Sequence, residues 1–302
     1  MRIVSLLPSL TELVSALGYG SDLVGVTHEC DYPAGVERLP HLTRSRIPTC
    51  SSSGAIDAQV SEHGGSLYEL NGPLLEELRP DLILTQTQCD VCAVNERAVR
   101  QVSAILPGQP HVESVNPASL AEVHAMFRRV GDLLGACARA AELVTAFERT
   151  AAEISRRRRG RHEPRVVLLE WLDPPFSSGH WNPELIALAG GREMIGHSGE
   201  SSRRLRWDEL IEADPEVIVL SPCGFSLERS EAELQELNFR PEWNRLAAVR
   251  NGRVSLADGS AFFSRPGPRL EVSLRIAAAA IDPEVCADLA PGAGWNRLRA
   301  LL

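Results

Sequence analysis

A mixed α/β fold of two lobes, each built on a parallel sheet and joined by a long backbone helix, is what this 302-residue sequence predicts. Three observations carry the prediction. Short, near-continuous apolar strands alternate with amphipathic helical stretches, the pattern of parallel sheets covered on both faces. The stretch "LLEELRPDLILTQTQCDVC" is repeated in design by "WDELIEADPEVIVLSPCGF": a helix, an acidic-proline turn, an apolar strand, then cysteine. Between them, Leu120 to about Ser155 runs with helical periodicity and few turn residues, a candidate spine. Such a length suits two lobes of about 100–150 residues each. The expected Rossmann-like lobes span 1–118 and 163–302, with linking helices over 119–162.

The elements follow in order. "IVSLLP" reads as a strand, and "SLTE" after it as a capping box, with Ser9 accepting from the backbone and Glu12 reaching back. The helix this opens stops at Gly18. "LVGVT" at 23–27 is the next strand and delivers His28, Glu29 and Cys30 at its carboxyl end. A Ser/Pro/Thr-rich loop occupies 43–55. Pro80 then separates a helix from the strand "LILT", which delivers Cys89 and Cys92. "GACA" at 135–138 interrupts the spine. The second half restarts with the strand "RVVLLEW"; Asn182 suits an N-cap, Pro183 the first helical position and Gly190 the stop. "GRVSL" is the last expected strand, and "FFSRPGPR" is an aromatic, arginine-containing loop leading into a final helix. The run "RRRRGR" at 156–161 reads as a solvated helix end, its cations favoured near the C-terminal dipole.

Composition bounds the function. With 44% hydrophobic, 24% charged and 5% aromatic residues the chain is an ordinary α/β protein, and its net charge of −9 argues against nucleic-acid binding. No apolar run approaches the roughly 20 residues of a transmembrane helix. Near the amino terminus, Pro8, Ser9, Thr11 and Glu12 break the apolar stretch too early for a signal-peptide core, so a cytoplasmic location is expected; a periplasmic or extracellular one requires that a leader was removed. Seven dispersed cysteines do not describe a disulfide framework.

Cys30, Cys89, Cys92 and Cys223 each follow an expected strand end, where α/β sheets bind ligands. Together they could hold zinc or an iron–sulfur cluster, serve as small buried hydrophobes, or do thiol chemistry on a ligand. A thioredoxin-like reading of "CDVC" fails on context, since that motif works from a helix amino terminus. Cys50, Cys137 and Cys286 read as incidental. His28 could join a metal site, donate to a ligand, or be a loop histidine. Arg44, Arg46, Arg265 and Arg269 could meet carboxylate, amide or phosphate groups. Glu170 and Asp173, flanking Trp171, are weak ground for acid–base chemistry, and no residue is assigned a catalytic role.

The segments "IVSLLPSLTELVSALG", "LVGVTHECDYP" and "RPDLIL", then "EWLDPPFSSGH", "ADPEVIVLSP" and "FFSRPGPR", resemble in content and order the periplasmic binding protein superfamily with a rigid inter-lobe helix. That superfamily serves ABC importers of cobalamin, haem and iron-siderophores, and the resemblance, over nearly the whole chain, is closest to its cobalamin-binding members. It implies a small-molecule corrinoid or related tetrapyrrole or metal chelate, held in the cleft between the lobes by aromatic side chains and loop backbone. Pro8, Ser9, Asp31, Tyr32, Pro175, Phe176 and Phe263 to Arg265 fall on matching positions. Trp171 and Trp181 could stack on such a macrocycle or pack ordinarily, and His180 could coordinate its cobalt. The family's two acidic transporter-docking positions fall on Asp208 and, in the first lobe, on Pro73; with no leader visible, this makes an ABC importer doubtful. The alternative is a cytoplasmic metalloprotein or enzyme with zinc or an iron–sulfur cluster on the four cysteines.

Overall fold

Among the described residues, ten of the twelve strands lie in two largely parallel sheets, one in each of two compact α/β units. This computed structural model describes residues 1–46, 52–63, 68–86, 99, 103, 106 and 108–298. The first unit comprises the described residues of Met1–Ser51, Ala55–Pro117 and Val123–Leu143; the second comprises Ser52–Gly54, Ala118–Glu122 and the described part of Val144–Leu302.

In the first unit, β1 (Ile3–Ser5), β2 (Leu23–Gly25), β5 (Leu82–Gln86) and β6 (His111–Val115) form a four-stranded sheet in the order β2-β1-β5-β6. All its pairings are parallel. Ile3, Val4, Ile83 and Leu84 are fully buried, as a central parallel strand covered on both faces requires. A separate hairpin pairs β3 (Thr43–Ser45) with β4 (Tyr68–Leu70), setting Arg44 opposite Glu69.

In the second unit, β7 (Arg165–Trp171), β8 (Phe176–Ser177), β9 (Arg192–Glu193), β10 (Val217–Leu220), β11 (Val254–Ala257) and β12 (Trp295–Leu298) form the larger sheet. Its order is β12-β11-β10-β7-β8, with β9 also on β7. β7, β10 and β11 run parallel, and β12 closes the edge antiparallel to β11. The sequence reading did not anticipate β12, whose exposed Asn296 and Arg297 lack the apolar run of the inner strands.

The internal repeat is visible in the backbone. The helices Gly72–Leu78 and Trp207–Ala213 each have seven residues, and each ends on a left-handed residue, Arg79 at φ 45 and Asp214 at φ 39. A proline follows both, then the central strands β5 and β10.

The helix Cys137–Arg157 has 21 residues; its first turns cluster with the first unit and the rest with the second. At 1.5 Å per residue it is about 30 Å long. The preceding helix, Leu120–Leu133, stops before Gly135 at φ +69. The two helices approach closely at Gly131, where a Cβ would lie 2.6 Å from the Ala140 Cβ.

Three local expectations are corrected. Ser9 is not an N-cap: the first helix starts at Pro8, whose missing N–H suits the first turn, and Ser9 and Glu12 are buried inside it. Asn182 is likewise the first helical residue rather than the cap, its side chain being engaged by Glu170. The run Arg156–Arg161 is not a uniformly solvated helix end. Arg158 is only 8% exposed and donates to the carbonyls of Ala189, Gly190 and His162 and to Asp282, because orphan carbonyls and a buried carboxylate surround it.

Candidate functional site

In the first unit, the loops after β1 and β2 carry the candidate residues. Pro8 is half-buried at the helix start, whereas Ser9 is buried. Asp31 is exposed, and Tyr32 presents 48% of its surface; the Tyr32–Pro33 bond is cis. Beside them, His28 is held by its neighbours rather than presented alone. Its Nδ1 lies 2.7 Å from the Thr43 hydroxyl, and its ring is 5.2 Å from that of Tyr68. The Tyr68 hydroxyl donates to Glu29 at 2.6 Å. Burial lowers the His28 pKa, with the Glu29 carboxylate opposing. Thr43 and Tyr68 were missed by sequence reasoning, because the β3–β4 pairing that brings them to His28 joins segments 25 residues apart. Arg44 is spent on Glu69, its direct cross-strand partner, at 2.9 Å.

In the second unit, β7, β10 and β11 deliver their loops at their carboxyl ends. Trp171 ends β7 half-buried; its indole N–H donates to the Ser53 carbonyl at 3.2 Å and its ring meets Phe225 edge-on at 4.9 Å. Arg229 lies over the other partner of that contact, 3.5 Å from the Phe225 centroid. Phe176 is half-buried on β8, while Pro175 is buried and its carbonyl accepts from the Leu205 N–H at 2.7 Å. His180 sits at φ 52, half-buried, with burial lowering its pKa.

Of the two readings of Trp181, stacking or ordinary packing, its surroundings match the second, and Phe263 packs beside it. Trp181 is 5% exposed and Phe263 fully buried, and the Trp181 N–H donates to the Phe263 carbonyl at 2.8 Å. The pair is an internal tie that anchors the "FFSRPGPR" loop. Arg265 remains half-buried on that loop, and Arg269 stands over Phe262 at 5.8 Å.

Two half-buried glutamates with enclosed carboxyl groups brace these loops. Glu170 accepts from the Gly179 N–H at 2.9 Å and Asn182 Nδ2 at 2.8 Å; burial raises its pKa against those bonds. Glu193 accepts from three backbone N–H groups, and burial pushes its pKa up to about 7. Farther out, Asp173 pairs with Arg240 at 2.9 Å beside a pocket also lined by Leu172, Glu233, Glu236 and Leu237.

Of the four cysteines, Cys89 and Cys92, with the incidental Cys50, lie outside the described residues. Cys30 is buried, its sulfur 3.2 Å from the Thr11 hydroxyl and 3.4 Å from that of Thr27. Cys223 is exposed, and its backbone N–H donates to the Glu170 carbonyl at 3.0 Å. Among the described residues, no group of three or more His, Cys, Asp or Glu could hold a metal ion.

In each unit the candidate residues cluster at the carboxyl ends of parallel strands, where α/β sheets bind ligands. The family model described as periplasmic binding protein matches residues 3–261, most of the chain. The chain belongs to the periplasmic binding protein family. Within reach of this family assignment, a vitamin B12-binding protein of Yersinia pestis is 26% identical over 223 residues, covering 73% of this chain and 69% of that protein. An ABC transporter substrate-binding lipoprotein of Bacillus subtilis is 23% identical over 290 residues, 94% of this chain and 80% of that one. The crystal structure of a periplasmic heme-binding protein from Pseudomonas aeruginosa superposes with a TM-score of 0.72 at 22% identity, covering 94% of this chain and 93% of that chain, and shows the shared fold.

Two of these relatives overturn the expected cytoplasmic location: by their names one is a substrate-binding lipoprotein and the other a periplasmic protein, and a sequence start does not decide the compartment. The doubt about an ABC importer, drawn from Pro73 and the missing leader, finds no support in a family with a transporter-coupled relative so well covered. The cytoplasmic metalloenzyme alternative, with zinc or an iron–sulfur cluster, has none either. No described helix is long and apolar enough to cross a membrane.

Proposed function

We propose that this periplasmic binding protein is the extracytoplasmic ligand carrier of an ABC importer and that its ligand is a corrinoid of the cobalamin type. The observation that carries the reading is the vitamin B12-binding relative, aligned over 73% of the chain. The structure supports it with partly exposed aromatic and polar side chains on strand-end loops: Tyr32 and Asp31 in the first unit, Trp171, Phe176, His180 and Arg265 in the second. Amphipathic rings of this kind give a large macrocycle both apolar area and polar contacts. No covalent step is involved.

The test is an absorbance and calorimetric titration of the purified chain with cyanocobalamin and, in parallel, with haem. Saturable cyanocobalamin binding at micromolar concentration or tighter is expected. Saturation by haem alone would replace the corrinoid with a porphyrin, and failure to bind either would end the tetrapyrrole reading.

A further inference from the structure

The loop Ser177–Trp181 is clasped along one side by the chain around residue 200. A Cβ on Gly179 would lie 2.4 Å from the Ser202 nitrogen and 2.7 Å from the Glu200 carbonyl oxygen, so only glycine fits. The His180 N–H donates to the Glu200 carbonyl at 2.6 Å, and the His180 carbonyl accepts from the Gly199 N–H at 3.1 Å. These bonds hold His180 at φ 52, a region few residues other than glycine enter.

The loop is held as well by one acidic side chain, which also bonds the Ser202 side chain of that segment. Glu170, at the end of β7, accepts from the Gly179 N–H at 2.9 Å and from Asn182 Nδ2 at 2.8 Å. Its own carbonyl accepts from the Cys223 N–H at 3.0 Å, so the same residue fixes the loop after β10. Gly179 and Asn182 bracket His180 and Trp181. Trp181 is pinned through its indole N–H, which leaves the imidazole of His180 as the side chain this scaffold holds out. That ring lies 5.6 Å from Trp181, half-buried, and makes no hydrogen bond among the described residues. An acidic group taken out of water is an expensive way to fill space. A carboxyl group that accepts from two donors flanking one strained residue, with the Ser202 side chain as a third partner, is instead a device for orientation.

We propose that Glu170 is a positioning residue of the ligand site, fixing through Gly179 and Asn182 the direction in which His180 meets the ligand. This rests on the tetrapyrrole-binding reading above. An amide oxygen can accept both bonds, whereas an apolar group of the same size can accept neither.

The experiment compares Glu170→Leu and Glu170→Gln with the wild-type chain in two arms. In the ligand-free protein, amide exchange at Gly179 and the NMR resonances of the His180 ring are followed; in the second arm, the affinity for cyanocobalamin and for haem is measured. Glu170→Leu is expected to accelerate Gly179 exchange by about tenfold or more, shift the His180 ring signals and weaken whichever probe binds by a similar factor. Glu170→Gln restores all three to within about twofold of wild type. Unchanged exchange and ring signals in Glu170→Leu, unchanged affinity, or a Gln variant that behaves like Leu overturns the proposal. If Glu170→Leu does not fold, Asn182→Ala removes one of the two bonds and is judged by the same readouts. Should wild type bind neither probe, the tetrapyrrole reading fails by itself, and the ligand-free arm still decides whether Glu170 sets His180.

Discussion

Arg158 and Asp282 meet inside the second unit, Nε 3.2 Å from Oδ2, with 6% and 8% of their side chains exposed. Arg161 reaches the same carboxylate from nearer the surface. Removing one member of a buried pair leaves the other charge without compensation, a loss of about 3–5 kcal/mol. Asp282→Ala is therefore expected to lower the urea-unfolding free energy by about 3 kcal/mol. The double variant Arg158→Met with Asp282→Leu should recover much of that loss. A single variant as stable as wild type would show that the cluster contributes little.

The Glu193 carboxylate gives the second unit a pH dependence. Burial holds its folded pKa at about 7, above the ordinary 4.5, against hydrogen bonds from the Leu168, Ile195 and Gly196 N–H groups. The folded state thus keeps this proton more tightly than the unfolded chain does. The resulting stabilisation is complete below the ordinary value and is lost as pH rises through about 7. Between pH 5 and pH 8, the unfolding free energy of wild type relative to Glu193→Gln should fall by ~1–3 kcal/mol. Parallel pH curves for the two proteins would rule this out.

The helix ends at Arg79 and Asp214 allow a matched comparison. Both occupy left-handed conformations, at φ 45 and φ 39, that glycine enters without steric penalty. Arg79→Gly is expected to stabilise the first unit by about 0.5–1 kcal/mol. Asp214→Gly should gain less, because its carboxylate also takes the Arg165 guanidinium at 3.0 Å. Denaturant midpoints of the two single variants test the order.

That repeat shows what a sequence makes legible. Helix, proline turn and buried strand are local features, so the apolar "LILT" and "VIVL" and the prolines after Arg79 and Asp214 announced both central strands. The family resemblance, carried by the same segments, reached the right superfamily. Less legible were features decided by partners far along the chain. Asn182 has the chemistry of a cap, and only the fold reveals that Glu170, 12 residues earlier, takes its side chain. Trp181 has the chemistry of a ligand platform, but its partner is a backbone carbonyl 82 residues away. The arginines at 156–161 look solvated until Asp282 and the carbonyls at 189–190 are folded around Arg158. The compartment was misread because a location was inferred from a chain terminus.

The split between presented and buried candidates yields the last prediction. Tyr32 has 48% of its surface exposed, so its truncation removes little packing; the ring of His180 makes no hydrogen bond among the described residues. If these side chains serve the ligand, Tyr32→Ala and His180→Ala should leave the unfolding free energy within about 0.5 kcal/mol of wild type. Each should nonetheless weaken tetrapyrrole binding by about tenfold, as loss of one aromatic or polar contact does. Trp181→Phe should behave in the opposite way. It keeps most of the buried ring but leaves the Phe263 carbonyl without its donor, at a cost of about 1–2 kcal/mol in stability. Its affinity, measured where the variant is fully folded, should stay within about threefold of wild type, since a shift under 1 kcal/mol is expected of a residue that only supports the loop. Urea unfolding paired with cyanocobalamin and haem titration separates the two patterns. A Trp181 variant that lost binding while keeping its stability would place the indole against the ligand after all, and would assign the tie to Phe263 a secondary role.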